Sequence, residues 1–404
     1  MQSNSHVYLP VHWMDGMKMN KNHFIAHDNA LTAQVAQTCS GLLNRYNYGL
    51  LPNHKGNADY KLFVSTDNQQ QVQIRLQSCR AITSGGHMVQ IDDDTAAAAD
   101  GMGTAIPQLS LPFNELKGRS SEYLVILSVD PFNRVPYGDA DPAEMPPRRP
   151  YTLPAYTLGL MPAGEAGAHM IGQFQLPVGK LTVMDQKVML DDNYVPPCVS
   201  MSSHPDLIEL HAEVEQFYGK MELHAVHIIQ KVLQKKQQNE MALIVEKLCE
   251  NIAHFTASQL ANFKLIYLHQ PPVFMINSLA SFARLLKNTL DFYTGSGKEE
   301  LINYCIEWCD IKQGELEAAI ISLANHPYEH LNINASIEKA AEFTRRLDRL
   351  FSSLARLDYI GKRKDTGIFV KEQPIQKDSG LFVKEAVSPE PEVQPKKRRS
   401  FLVD

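Results

Sequence analysis

The sequence predicts an α+β chain: an N-terminal β-sandwich, then an elongated helical bundle, then a disordered C-terminal tail. Three observations lead there. Residues 1–202 hold 15 of the 23 prolines and 15 of the 22 glycines, whereas residues 203–360 hold four of each. Both residue types break regular helix, so the first stretch is expected to be strands and loops and the second mostly helix. The apolar pattern changes at the same place, from a period of two to alternating steps of three and four. The last 44 residues are rich in Lys, Glu, Pro, Gln and Ser and too poor in apolar residues to build a core.

Along the chain, Phe24, Leu31, Val35 and Leu42 recur near helical spacing and predict a helix over about 22–44. Gln71-Val-Gln-Ile-Arg-Leu-Gln77 alternates strictly, as a half-buried strand does, and the unbroken run Tyr123–Val129 reads as a central strand covered on both faces. Eight prolines between Pro131 and Pro162 predict a long extended loop. Leu181–Val183 and Val188–Leu190 flank a polar turn and read as a hairpin. Ser203-His-Pro-Asp206 then carries a helix start, with Ser203 as the N-cap, a proline in the first turn and an acid near it. Helices are expected over 204–238, 240–269, 273–292, 297–324 and 335–360, a bundle of antiparallel type. In the first, Leu207, Leu210, Val214, Phe217, Met221 and Ile228 belong to two adjoining apolar seams, which suggests a helix that packs on several neighbours and self-associates. The domains expected are therefore 1–202, 203–360 and 361–404.

Composition excludes several classes. A formal net charge of −6 argues against a dedicated nucleic-acid binder. No apolar run approaches the ~20 residues that cross a bilayer, the N-terminus lacks a secretory pattern, and the six cysteines form no framework. A cytoplasmic chain with reduced thiols is expected. His224 and His227 share a helix face, and a zinc site would need Cys249, Cys305 and Cys309 to approach them in the bundle; structural thiols are the favoured reading. Asp92-Asp-Asp94 lacks the glycine and glutamate of a calcium loop. With no phosphate-binding loop, nucleophile elbow or metalloprotease motif, no enzyme and no cofactor are expected.

Two segments carry a resemblance. Val11-His-Trp-Met-Asp-Gly-Met17, followed by His23-Phe24 and Asp28, is similar to the N-terminal signature of the type VI secretion baseplate subunit family TssK. Leu176-Pro-Val-Gly-Lys-Leu181, followed by Val188-Met-Leu-Asp-Asp-Asn-Tyr-Val-Pro-Pro-Cys198, resembles the family's passage from the β-rich region into the helices. The resemblance spans about 7–360. Lys21-Asn22 stand where the family has Pro-Gln, and the family's C-terminal head has no counterpart in the 44 residues that follow, so a divergent member is expected.

The resemblance implies a non-enzymatic adaptor: a homotrimer, docked on wedge proteins of the TssF and TssG kind and linked to a membrane-side complex at the inner membrane. A phage-like tail or receptor-binding adaptor is the alternative. Trp13, Asp15, Gly16, Met17, His23 and Phe24 become candidate partner-binding residues. The large apolar ones either anchor a partner or fill the sandwich core, and Gly16 permits a sharp change from strand to helix. The tail repeats Asp365-Thr-Gly-Ile-Phe-Val-Lys-Glu372 as Asp378-Ser-Gly-Leu-Phe-Val-Lys-Glu385. Ile368, Phe369 and Val370, with Leu381, Phe382 and Val383, are therefore expected to bind a membrane-side or baseplate partner. The basic run Lys396-Lys-Arg-Arg399 reads as solvated charge.

Overall fold

Strict alternation does what it requires. In the strand Gln71–Ile82, Val72, Ile74 and Leu76 are fully buried while their polar neighbours face out. The computed structural model describes residues 8–361 apart from 53–59, 92–105, 119, 166, 168, 185–186, 294–295, 310–311 and 313. The tail and its repeat and Asp92–Asp94 lie outside the described residues.

Among the described residues a helix, α1 (Lys21–Ser40), precedes nine strands: β1 (Gly49–Leu50), β2 (Tyr60–Thr66), β3 (Gln71–Ile82), β4 (Met88–Ile91), β5 (Gln108–Pro112), β6 (Glu122–Tyr137), β7 (Tyr151–Pro162), β8 (Gln175–Met184) and β9 (Lys187–Leu190). All the pairings between them are antiparallel. In one sheet β3 pairs with β1, β2, β4 and β5; the other runs β7-β6-β8-β9. The sheets face each other as a sandwich, and the Tyr60 hydroxyl of one donates to the Val178 carbonyl of the other. The run Tyr123–Val129 is central, as its continuous apolarity predicts. Tyr123, Val125, Leu127 and Val129 enter the main core, while Leu124 and Ile126 pack with Tyr194 on the opposite face.

The proline-rich stretch is not the long loop expected from its composition. β6 and β7 continue through it, leaving only residues between Tyr137 and Tyr151 outside strands. The prolines fit because the ladder needs no N–H donor at the positions they occupy. Pro131 falls in the register shift between Asp130 and Arg134, and β8 accompanies β6 only as far as Ser128. Beyond that point the two strands form a ribbon, with Pro154 on the edge strand.

Helices α2 (Pro205–Gln234), α3 (Glu240–Leu265), α4 (Pro272–Asp291), α5 (Ser296–Cys309), α6 (Glu315–Ala324) and α7 (Ile333–Arg356) follow. Two local expectations are corrected. The N-cap of α2 is His204, whose Nδ1 accepts from the Asp206 amide, because Ser203 is taken up in a preceding turn with Ser200. The single helix expected over 297–324 is two, separated before Gly314, whose φ of 79° no helical residue adopts. Among the described residues no helix is long and apolar enough to cross a membrane.

At about 45 Å, α2 is the axis of the bundle, packing against α3 and α7. Its centre is aromatic: Tyr218 lies 5.1 Å from Phe263 and 5.6 Å from Phe282, ring to ring. The Tyr218 hydroxyl meets Ser278 Oγ at 3.1 Å, and Ser278 and Tyr267 both donate to Gln259 Oε1 at 3.0 Å. This buried chain fixes the mutual register of α2, α3 and α4. Tyr218→Phe is expected to lower stability by about 1–2 kcal/mol in urea denaturation, with the slope of the transition unchanged. At the far end, Lys231 and Lys235 donate to the carbonyls of Ala355, Leu357 and Asp358, where α7 ends.

Candidate docking surfaces

The N-terminal segment reaches α1 through a turn at Asp15-Gly16, closed by the Met17 amide on the Met14 carbonyl at 3.2 Å. Gly16 holds φ at 75°, the left-handed value that favours glycine. Among the described residues, 8–14 belong to no strand, so Gly16 turns irregular chain rather than a strand toward the helix. Asn20 caps α1 by accepting from the Asn22 amide at 2.9 Å, and its own amide donates to His23 Nδ1 at 3.3 Å. His23 is thereby a capping residue of the helix start.

The packed face of α1 is built from small residues. Ala30 and Ala36 are its buried positions, and the helix lies so close to the β3–β4 turn that a Cβ on Gly86 would stand 2.3 Å from the Ala36 carbonyl oxygen. Arg134 of β6 fastens the helix at 3.1 Å from Asp28 and 3.2 Å from the Thr32 hydroxyl. Tyr8 stacks on Phe132 at 3.9 Å, attaching the leading segment to the same strand.

What this leaves outside is apolar. The stripe whose spacing predicts the helix faces solvent: Phe24 is 53% exposed, Val35 60%, and Leu31 and Leu42 are also open. Trp13, 43% exposed, sits 6.3 Å from Phe24 and 6.0 Å from His27, ring to ring, with Met14, Met19 and Ile25 exposed around it. Met17 is half-buried and Asp15 exposed. Trp13 and Phe24 thus take no part in the sandwich core. A large exposed apolar patch of this kind is characteristic of protein-binding surfaces, and aromatic residues are frequent anchors in them.

A second surface runs along α2, and here the expectation needs correction. Leu207, Leu210, Val214, Phe217, Met221 and Ile228 are all buried inside the protomer. Their apolar area is already used against α3, α7 and the sandwich, so none can face a second copy. The outer side of α2 carries a different seam: Ala212, Gln216, Gly219, Leu223, Val226, Gln230 and Leu233, at alternating steps of four and three. Every one is exposed except the half-buried Gly219. Steps of this kind keep one stripe facing a partner helix along the whole element. The signal was present in the sequence, but it competed with the stronger buried seam on the other side.

No group of three or more His, Cys, Asp or Glu residues that could hold a metal ion occurs among the described residues. His224 instead faces Asp348 at 4.0 Å, and Cys249 is buried with its thiol pushed well above the usual range by desolvation. The side chains of Cys305 and Cys309 lie outside the described residues, as do Ile368–Val370 and Leu381–Val383.

No family model and no curated protein matches the sequence. Solved structures do. A crystal structure of TssK aligns with a TM-score of 0.50 at 15% identity, covering 84% of this chain and 69% of that one. The baseplate complex from the type VI secretion system gives 0.47 at 13% identity, covering 85% and 99%. The TssK-TssF-TssG baseplate subcomplex, seen by cryo-electron microscopy, gives 0.40 at 12% identity, covering 86% and 98%. At low sequence identity, then, the strand-rich region followed by a helical bundle is a TssK-like fold.

Proposed function

We propose that this chain is a non-enzymatic structural subunit of a type VI secretion baseplate, an adaptor between the baseplate wedge and a membrane-side component. The observation that carries the reading is the TssK-like fold over 84% of the chain, reached independently of the N-terminal signature Val11–Met17 that resembles the same family. Wedge proteins of the TssF and TssG kind dock on the exposed face formed by Trp13, Phe24, Leu31 and Val35. The chain works in the cytoplasm, at a baseplate held against the inner membrane. The tail copies Ile368–Val370 and Leu381–Val383 supply the membrane-side contact.

Co-expression with the TssF-like and TssG-like proteins of the same cell tests the first part. Wild-type chain is expected to bring both down in fixed proportion. Trp13→Ala with Phe24→Ala is expected to cut recovery by at least about tenfold, since aromatic anchors dominate such interfaces. Both side chains already face water, so the thermal midpoint should stay within about 2 °C. Wild-type chain that recovers neither protein would overturn the reading.

Self-association runs through the outer seam of α2, three chains around one axis. Its mixed Ala, Gln, Gly, Leu and Val content supports close approach of like helices. Light scattering is expected to give three times the chain mass for wild type and one chain mass for Leu223→Glu with Val226→Glu, with helical content preserved. A monomeric wild type would remove this part.

A further inference from the structure

Between the sandwich and the start of α7 lies a cavity of about 830 Å³ that neither docking surface uses. One wall is aromatic: Tyr46 and Tyr328 meet edge to face at 5.6 Å, and the Arg45 guanidinium already rests on the Tyr46 ring at 4.6 Å. The Tyr46 ring thus already holds a cation of this chain, which shows that the wall suits such a group. The lining is also acidic. Lys180 pairs with Glu122 at 2.9 Å and stands 4.0 Å from Asp191, while Glu329 and Glu338 are exposed and form no ion pair among the described residues. Tyr194, also lining the cavity and only 8% exposed, has a hydroxyl without a hydrogen-bond partner there. Aromatic rings beside four carboxylates, against the two lining cations Arg45 and Lys180, form a receptor for guanidinium and ammonium groups on an extended peptide.

We propose that this cavity binds the chain's own basic segment, Lys396-Lys-Arg-Arg399. Two observations select that occupant. The segment concentrates four cations, complementary to the carboxylates of the mouth. Its tether also fits. The described chain ends at Gly361, where the Ile360 amide donates to Gln237 beside the end of α2. The cavity lies at the other end of α7, 24 residues or about 36 Å away. About 35 residues separate Gly361 from Lys396. A flexible linker of that length would average about 30–35 Å, close to this span, where effective concentration at the cavity is greatest. Docking would close the tail into a loop carrying both Phe-Val copies along the bundle. This proposal does not depend on the baseplate reading.

Limited trypsin digestion of the full chain, followed by mass spectrometry, tests it. The rate of cutting at Lys396–Arg399 is measured relative to cutting after Lys371 and Lys384 in the same tail. In wild type this ratio is expected to be at least about fivefold lower than in Glu329→Gln with Glu338→Gln, and independent of protein concentration. Excess synthetic peptide 393–404 should raise the wild-type ratio to that of the variant. An equal ratio in wild type and variant, or no response to the peptide, overturns the proposal. Both glutamates are exposed and the changes isosteric, and a melting curve confirms that the variant is folded.

Discussion

Gly49→Ala is expected to abolish soluble, cooperatively folding protein, a loss of about 4 kcal/mol or more. Gly49 opens β1 with φ at 115°, a conformation that side-chain-bearing residues rarely adopt. A Cβ at this position would also stand 2.0 Å from the Pro197 carbonyl oxygen and 2.3 Å from its carbon. Those atoms are backbone and have nowhere to go. The Leu50 amide donates to Pro197 at 2.7 Å, and the Val199 amide returns a bond to Leu50 at 2.9 Å. One methyl group would therefore part β1 from the segment that leads into the helices. Denaturant titration of Gly49→Ala beside Gly118→Ala separates this contact from glycine replacement in general. Gly118 also has positive φ, but nothing lies within 4 Å of its absent Cβ, so its cost should stay near 1–2 kcal/mol.

Stability is expected to fall by about 3 kcal/mol as pH drops from 6.5 to 4 because of His330 alone. The ring is buried between β1 and the loop before α7. Its Nε2 lies 2.8 Å from the Tyr48 carbonyl, which can only accept, so Nε2 carries the proton and Nδ1 accepts from the Tyr328 hydroxyl at 2.9 Å. Desolvation pushes the folded-state pKa down to about 4, and the bond to Tyr48 opposes this only in part. The unfolded chain, titrating near 6.5, binds more protons throughout that interval, so stability rises with pH across it and is lost on acidification. His87, His211 and His326 are shifted the same way, chiefly by burial, and should steepen the fall. Urea titrations from pH 7.5 to 4.5 would check the slope. His330→Gln, unable to titrate, should be less stable at pH 7.5 and lose less on acidification.

Much of the architecture can be read directly from residue pattern, because a period of two or of 3.6 states which side of an element is buried. Val72–Leu76, Tyr123–Val129 and the buried face of α2 lie where that logic puts them. Pattern alone misleads where a residue's meaning depends on its neighbours in space. Pro131, Pro136 and Pro154 look like loop residues until β8 is seen to stop at Ser128 and Pro154 to lie on the edge strand β7, where the ladder can do without the N–H that proline lacks. The stripe Phe24, Leu31 and Val35 predicts a helix correctly, yet it faces water, because Ala30 and Ala36 are what the nearby Gly86 turn can accommodate. Periodicity shows that a stripe exists and leaves open which side the rest of the protein takes. The outer seam of α2 was hidden for that reason. The cavity at the start of α7 has no linear signature, since its lining comes from residues between 45 and 338.

The passage from strands to helices has a mechanical consequence. From Tyr194 to Cys198 every residue is buried, the Val195 amide is held by Asn334 at 2.9 Å, and Asn334 in turn donates to the Asn193 carbonyl. No free hinge is left at this point, and two consecutive prolines stiffen what remains. Torque applied at one extremity must therefore travel through α7 and α2 to the other as through a rigid lever, with little of it absorbed on the way.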